Sequence, residues 1–83
     1  MLHLTPHYPP LDLHTLEGKD AEERREIMGE YIYKRADQMF GAQAASTIAG
    51  FLLEFSYEEL EPLLTNPSIL DNNIREAQGY LVG

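Results

Sequence analysis

Apolar residues recur along most of this chain at intervals of three and four, the spacing of one helical face. Met28, Ile32, Ala36, Met39 and Phe40 fall on one such face, with Ile27 and Tyr31 on one flank and Gly29 and Tyr33 on the other. Glu23, Glu26, Glu30, Lys34 and Asp37 make the polar face, where Glu30 and Lys34 are spaced for a weak i,i+4 pair. Asp20 followed three residues later by Glu23 reads as a capping box, and Gly41 as the residue that ends the helix. The pattern predicts a helix over residues 20–40.

A second helix is predicted over 42–55. Ala44, Ala45, Ile48, Phe51, Leu52 and Phe55 fall together on its wheel. Ala49 and Leu53 widen the apolar arc to roughly 200°, more than one packing partner covers. Such a helix is either central to a bundle or keeps one flank for a partner. Gly50, near the edge of the arc, weakens the helix and is expected to let a backbone or ring come close. Ser56 and Glu59 form a second capping box and start a helix over 57–65, in which Pro62 is expected to cause a kink or an early end. Asn66 and Pro67 then open a last helix to Val82, burying Ile69, Leu70, Ile74, Ala77 and Leu81. No stretch alternates as a strand would. The fold class is all-α, a small bundle of four to five helices.

Residues 1–19 read as a weakly ordered arm, because Pro6, Pro9 and Pro10 favour extended backbone. Leu2, Leu4, Leu11, Leu13 and Leu16 can tack it onto the bundle, and a short helix fits residues 10–16. Leu2, Leu4 and Tyr8 also leave open that the arm occupies a groove of the bundle. His3, His7 and His14 all lie here. Pro6 interrupts the i,i+4 pair His3 and His7, so exposed arm residues rather than metal ligands are expected.

Charge and composition narrow the function. With 14 acidic and 6 basic residues the net charge is −8, which repels phosphate backbones and argues against direct nucleic-acid binding. After Arg35 the only base is Arg75, so a basic partner surface meets the second half most favourably. No apolar run is long enough to span a membrane. There is no cysteine for disulfide or thiol chemistry, and a cytoplasmic setting is expected. No cofactor motif appears. Glu22, Glu23, Glu26 and Glu30 read as a solvated face, and no nucleophile stands beside a histidine, so an enzyme is not expected.

Three blocks carry a resemblance. The segment Thr47-Ile48-Ala49-Gly50-Phe51-Leu52-Leu53-Glu54 resembles the signature helix of the MLLE domain, the C-terminal domain of poly(A)-binding proteins, whose pattern reads roughly K-I-T-G-M-L-L-E. Met28-Gly29-Glu30-Tyr31-Ile32-Tyr33 is similar to a block that often reads L-G-E-R-L-F, and Asn66-Pro67-Ser68-Ile69-Leu70 with Glu76-Ala77 also fits. The likeness covers residues 20–82. It implies a domain from residue 20 onward with a groove along its central signature helix. The implied partner is a short linear peptide, of the PABP-interacting-motif type found in translation and deadenylation factors.

Carried over by resemblance, a pocket for a phenylalanine would involve Glu26, Gly29, Glu30, Tyr33, Leu52 and Leu53. Gly29 would admit the ring against bare backbone, and Glu30 would accept hydrogen bonds from the peptide. A second pocket, for a leucine, would involve Thr47, Phe51, Ala77, Tyr80 and Leu81. The chain departs from the family at five of its relevant positions. Thr47 replaces a lysine, Ala49 a threonine, Phe51 a methionine, Tyr80 a smaller aliphatic residue and Glu26 a glutamine. These changes point to a divergent, accessory copy in a larger poly(A)-binding protein, HECT-type ubiquitin ligase or RNA-transport protein. The expected state is a monomeric domain. Two alternatives stay open: a degenerate MLLE fold that docks without a peptide, and a self-association domain whose apolar flank packs on a second copy.

Overall fold

Four α-helices follow a short 3-10 turn in the computed structural model, which describes residues 8–82. The turn spans Leu13–Leu16; α1 is Ala21–Phe40, α2 is Ala42–Leu52, α3 is Tyr57–Thr65 and α4 is Pro67–Val82. There is no strand among the described residues. The fold is a small all-α bundle.

Local chemistry places the helix starts. The Glu23 amide donates to Asp20 at 2.8 Å and the Asp20 amide to the Glu23 carboxylate at 3.3 Å. Ser56 and Glu59 make the same reciprocal pair at 3.2 and 2.9 Å. Each pair satisfies amides that a helix start leaves without partners. Asn66 accepts from the Ser68 amide at 3.1 Å, and Pro67 has no amide to satisfy. Gly41 alone links α1 to α2. Its φ of +90° is a conformation side-chain-bearing residues rarely adopt, and it turns α2 back along α1.

Three local expectations change. The helix containing Pro62 is not cut short: it runs on to Thr65, and the Asn66 amide donates to the Pro62 carbonyl at 3.0 Å. The proline removes one bond, to the carbonyl of Glu58, which is exposed and can turn to water. Helix α2 stops at Leu52 rather than Phe55 because the Glu54 and Phe55 amides bond three residues back, to Phe51 and Leu52, in a tightened last turn. Gly50, expected to permit a close approach, is exposed with open space where a Cβ would stand.

The width of the apolar arc on α2 has a direct cause. The helix packs on both α1 and α4, and Ala45, Ile48, Ala49 and Leu52 are buried between them. Met28, Ile32 and Ala36 of α1, Leu60, Leu63 and Leu64 of α3, and Leu70, Ile74 and Ala77 of α4 join them in the core. Each large aliphatic buried here contributes about 2 kcal/mol. Leu81, expected in the core, lies at the surface with Phe40, because both stand near helix ends where no further element covers them.

The arm is docked. Its Leu11 amide donates to the Leu64 carbonyl at 2.8 Å, and Leu16 is buried in the core. The helix expected over 10–16 is reduced to the 3-10 turn, capped by Asp12, which accepts from the His14 amide at 3.0 Å. Tyr8 packs beside Tyr31 and Arg35. Leu2, Leu4, His3 and His7 lie outside the described residues.

Candidate functional site

The first hollow lies between α1 and the end of α2. Glu22, Arg25, Glu26, Gly29, Glu30 and Leu53 line a volume of about 390 Å³. Gly29 is the tight point: a Cβ built on it would stand 3.0 Å from Leu53 Cδ1. The bare helix backbone at Gly29 is thus covered by the end of a flexible side chain. Arg25 crosses the rim, donating to the Leu53 carbonyl at 2.9 Å and lying 3.7 Å from the Glu54 carboxylate. Glu22, Glu26 and Glu30 are all exposed.

Four of the six residues expected at the aromatic pocket, Glu26, Gly29, Glu30 and Leu53, meet here. Tyr33 stands one helical turn beyond Gly29, half-buried against the core. Leu52 does not join them. It is 1% exposed and faces the other side of α2, because consecutive helical residues diverge by about 100°.

The second expected pocket is divided. Phe51, Ala77 and Tyr80 line one hollow of about 310 Å³ together with Leu52, Phe55, Asn73 and Glu76. Thr47 and Leu81 line another, of about 430 Å³, with Phe40, Gln43, Ala44, Ile48 and Gln78. Residues 77 and 80 of α4 face Phe51, whereas residues 78 and 81 face Ala44 and Thr47, one turn away along the same seam. The rings of Phe51 and Tyr80 lie 5.7 Å apart, and Phe51 also meets Phe55 edge-on at 5.9 Å. Tyr80 is nevertheless 78% exposed, so it forms a ridge rather than a floor. Gln78 Oε1 is buried and has no hydrogen-bond partner among the described residues.

On the arm-facing side, charge is tightly paired. Arg35 donates through Nε and Nη2 to the two oxygens of Asp71, each at 2.8 Å. The Tyr8 hydroxyl lies 2.8 Å from Asp71 Oδ1 and 3.2 Å from the Pro67 carbonyl, and the Arg35 guanidinium sits 4.5 Å above the Tyr8 ring. The Tyr31 hydroxyl donates to the Pro9 carbonyl at 2.8 Å. Burial alone would raise the Asp71 carboxyl, but hydrogen bonds from Arg35 and Tyr8 outweigh it and hold it below the usual carboxylate range. Burial, then the bond to Asp71, pushes the Tyr8 hydroxyl well above its ordinary value. Sequence reasoning missed this cluster. Its members are 36 and 63 positions apart, and Arg35 and Asp71 each stand beside other polar residues, so neither looks out of place in the sequence.

A model of the MLLE domain family matches residues 15–81, most of the chain and all four helices. The chain belongs to the MLLE domain family. No curated protein and no solved structure matches it. MLLE domains are protein-interaction modules that bind short peptide motifs of partner proteins, and the family is not enzymatic. In this MLLE domain the segment Thr47 to Glu54 forms the second half of α2 and the turn after it, so the hollow beside Gly29 and both hollows on the α4 seam flank that helix. Tyr8 lies before the matched span, and the polar cluster therefore ties a residue outside the family match to α1 and α4.

Proposed function

We propose that this MLLE domain recognises a short linear peptide of the PABP-interacting-motif type through one aromatic anchor, seated beside Gly29. It would do so for a larger, mRNA-associated cytoplasmic protein. The observation that carries the reading is the contact of Leu53 Cδ1 with the place a Gly29 Cβ would take. A glycine at this point lets the Leu53 side chain lie over bare backbone, and the flexible end of that side chain is the group an aromatic ring would displace. Binding of this kind is expected at micromolar strength, about −8 kcal/mol. It would be dominated by the anchor. The leucine subsite contributes less, because its expected residues are split between two hollows and Tyr80 leans on Phe51.

A second reading, a degenerate MLLE fold that serves as an accessory docking domain, draws support from the same Phe51–Tyr80 contact. An amide-shift titration with such a peptide and its phenylalanine-to-alanine version separates the two. Saturable shifts at Gly29, Tyr33 and Leu53, lost with the alanine peptide and with Gly29→Val, support the aromatic site. No shifts at near-millimolar peptide support the degenerate fold.

A further inference from the structure

We infer that Arg25 is a positioning residue of the Gly29 hollow. It ties the Leu53 backbone to α1, so that an entering ring turns the Leu53 side chain aside without moving the turn that carries it. The inference rests on the reading just proposed, since it concerns how that same hollow opens.

Arg25 stands one helical turn before Gly29 on the same face of α1, and both line the hollow with Leu53. Its Nη1 donates to the Leu53 carbonyl at 2.9 Å. Among the described residues no backbone amide donates to that carbonyl, which belongs to the group a helix end leaves without partners. The Leu53 amide is bonded to the Ala49 carbonyl at 3.0 Å. Both backbone polar groups of Leu53 are therefore held, one by α2 and the other by α1. The side chain is held by neither. It is half-buried, with Cδ1 3.0 Å from the place a Gly29 Cβ would take, and it can turn between staggered rotamers about its own bonds.

The turn itself needs such a tie. Beyond Leu53 the Glu54 and Phe55 amides bond three residues back, at 3.2 and 3.0 Å, a poorer geometry than that of an α-helix. Among the described residues Arg25 makes the one hydrogen bond from α1 to this turn. A turn released from α1 would have to be ordered again by the ligand, at a cost in affinity. The Glu54 carboxylate, 3.7 Å from Nη2, contributes little, because both side chains are more than half exposed and water screens the pair. The bond to the carbonyl carries the role.

The test titrates a phenylalanine-anchored peptide and its alanine version into the whole chain and three variants. Arg25→Met keeps the aliphatic stem and removes every donor, Arg25→Lys keeps a donor, and Glu54→Gln removes the ion pair alone. Amide hydrogen exchange is followed in each. Arg25→Met is expected to bind the phenylalanine peptide about fivefold more weakly. Its exchange should quicken at the Leu53, Glu54 and Phe55 amides more than at Ile32 and Ile48 in the core. Arg25→Lys should recover part of the affinity, and Glu54→Gln should match the wild type. Three results would overturn the inference while leaving the aromatic site standing: wild-type or tighter binding by Arg25→Met, no recovery in Arg25→Lys, or exchange that quickens equally in turn and core, which would make Arg25 a general stabilising residue. Failure of the wild type to prefer the phenylalanine peptide over the alanine one would overturn the aromatic site itself, and this inference with it.

Discussion

On the side of α1 that meets the arm, Arg35 gives two hydrogen bonds to Asp71 and the Tyr8 hydroxyl adds a third. On the side that meets the end of α2, Glu22 and Glu26 have no basic partner among the described residues, and the backbone at Gly29 is covered by the Leu53 side chain. Both sides are rich in charge, yet only one is internally balanced. Asp71 is 4% exposed and fully engaged, while the glutamates around Gly29 are exposed and, among the described residues, only Glu30 has a base nearby, Lys34 at 4.0 Å. A buried charge must find its partners within the fold, because water no longer solvates it. An exposed one can wait for a partner from outside. The first arrangement fixes where the arm, α1 and α4 sit; the second leaves a face free for binding.

The largest effect is expected from breaking the balanced side. Asp71→Ala leaves Arg35 without its carboxylate and Tyr8 without its acceptor, and should cost about 3 kcal/mol in chemical denaturation. Peptide affinity at Gly29 should hold once the domain is folded, since no residue of the cluster lines that hollow. A loss below about 0.5 kcal/mol would mean that the cluster contributes no more than a surface pair.

Acid reaches the same cluster by titration. The folded-state Asp71 carboxyl is held below its unfolded value, so its contribution is present above the unfolded pKa and lost as pH falls through the folded one. Stability should therefore hold from neutral pH down to about 4 and fall below it, with a shallower fall in Asp71→Ala. Tyr8 has the opposite sense. Its raised hydroxyl contributes fully below about pH 10, and the contribution is lost as pH climbs toward the folded value. Thermal denaturation across both ranges, comparing the wild type with Tyr8→Phe, checks each arm of the profile.

What the sequence reveals and hides follows the same division. The capping boxes at Asp20 and Ser56, the Asn66-Pro67 start and the Gly41 turn were all legible, because each is decided within a few residues. The wide arc of α2 left two readings, a central helix or a flank kept for a partner, and its packing on both α1 and α4 accounts for the arc by the first. Four of the residues that the family resemblance assigned to one pocket, Glu26, Gly29, Glu30 and Leu53, do line one hollow, because they sit one turn apart on α1 and at the end of α2. The position of Leu52 and the division of the second pocket were not legible, because they depend on how α4 is rotated against α2. The Tyr8–Arg35–Asp71 cluster was hidden for the same reason: it is long-range, and its charged members look like surface residues one at a time.

A milder change on the balanced side is Tyr8→Phe. The ring still lies under the guanidinium while the hydroxyl bonds disappear, so about 1 kcal/mol of stability should go. Hydrogen exchange at the Leu11 amide, which is bonded to the Leu64 carbonyl, should quicken more than exchange in α2. Equal acceleration everywhere would show that the arm unfolds only with the whole domain.

The smallest stability effects are expected on the open side, where a pair of glycines makes the comparison quantitative. Gly50 and Gly29 both lie inside helices, and alanine gains about 0.8–1 kcal/mol over glycine in a helix interior. At Gly50 a Cβ meets nothing within 4 Å, so Gly50→Ala should realise most of that gain. At Gly29 the new methyl meets Leu53 Cδ1 at 3.0 Å, and the side chain must give way before the propensity is felt. Gly29→Ala should therefore be close to neutral in stability while weakening the anchor, because methyl and displaced leucine together fill the space a ring would take. If Gly29→Ala stabilises as much as Gly50→Ala, Leu53 leaves the backbone at no cost, and the hollow opens freely for whatever enters it. If it destabilises, Leu53 is part of the core rather than a movable cover, and an aromatic anchor would have to seat on top of it.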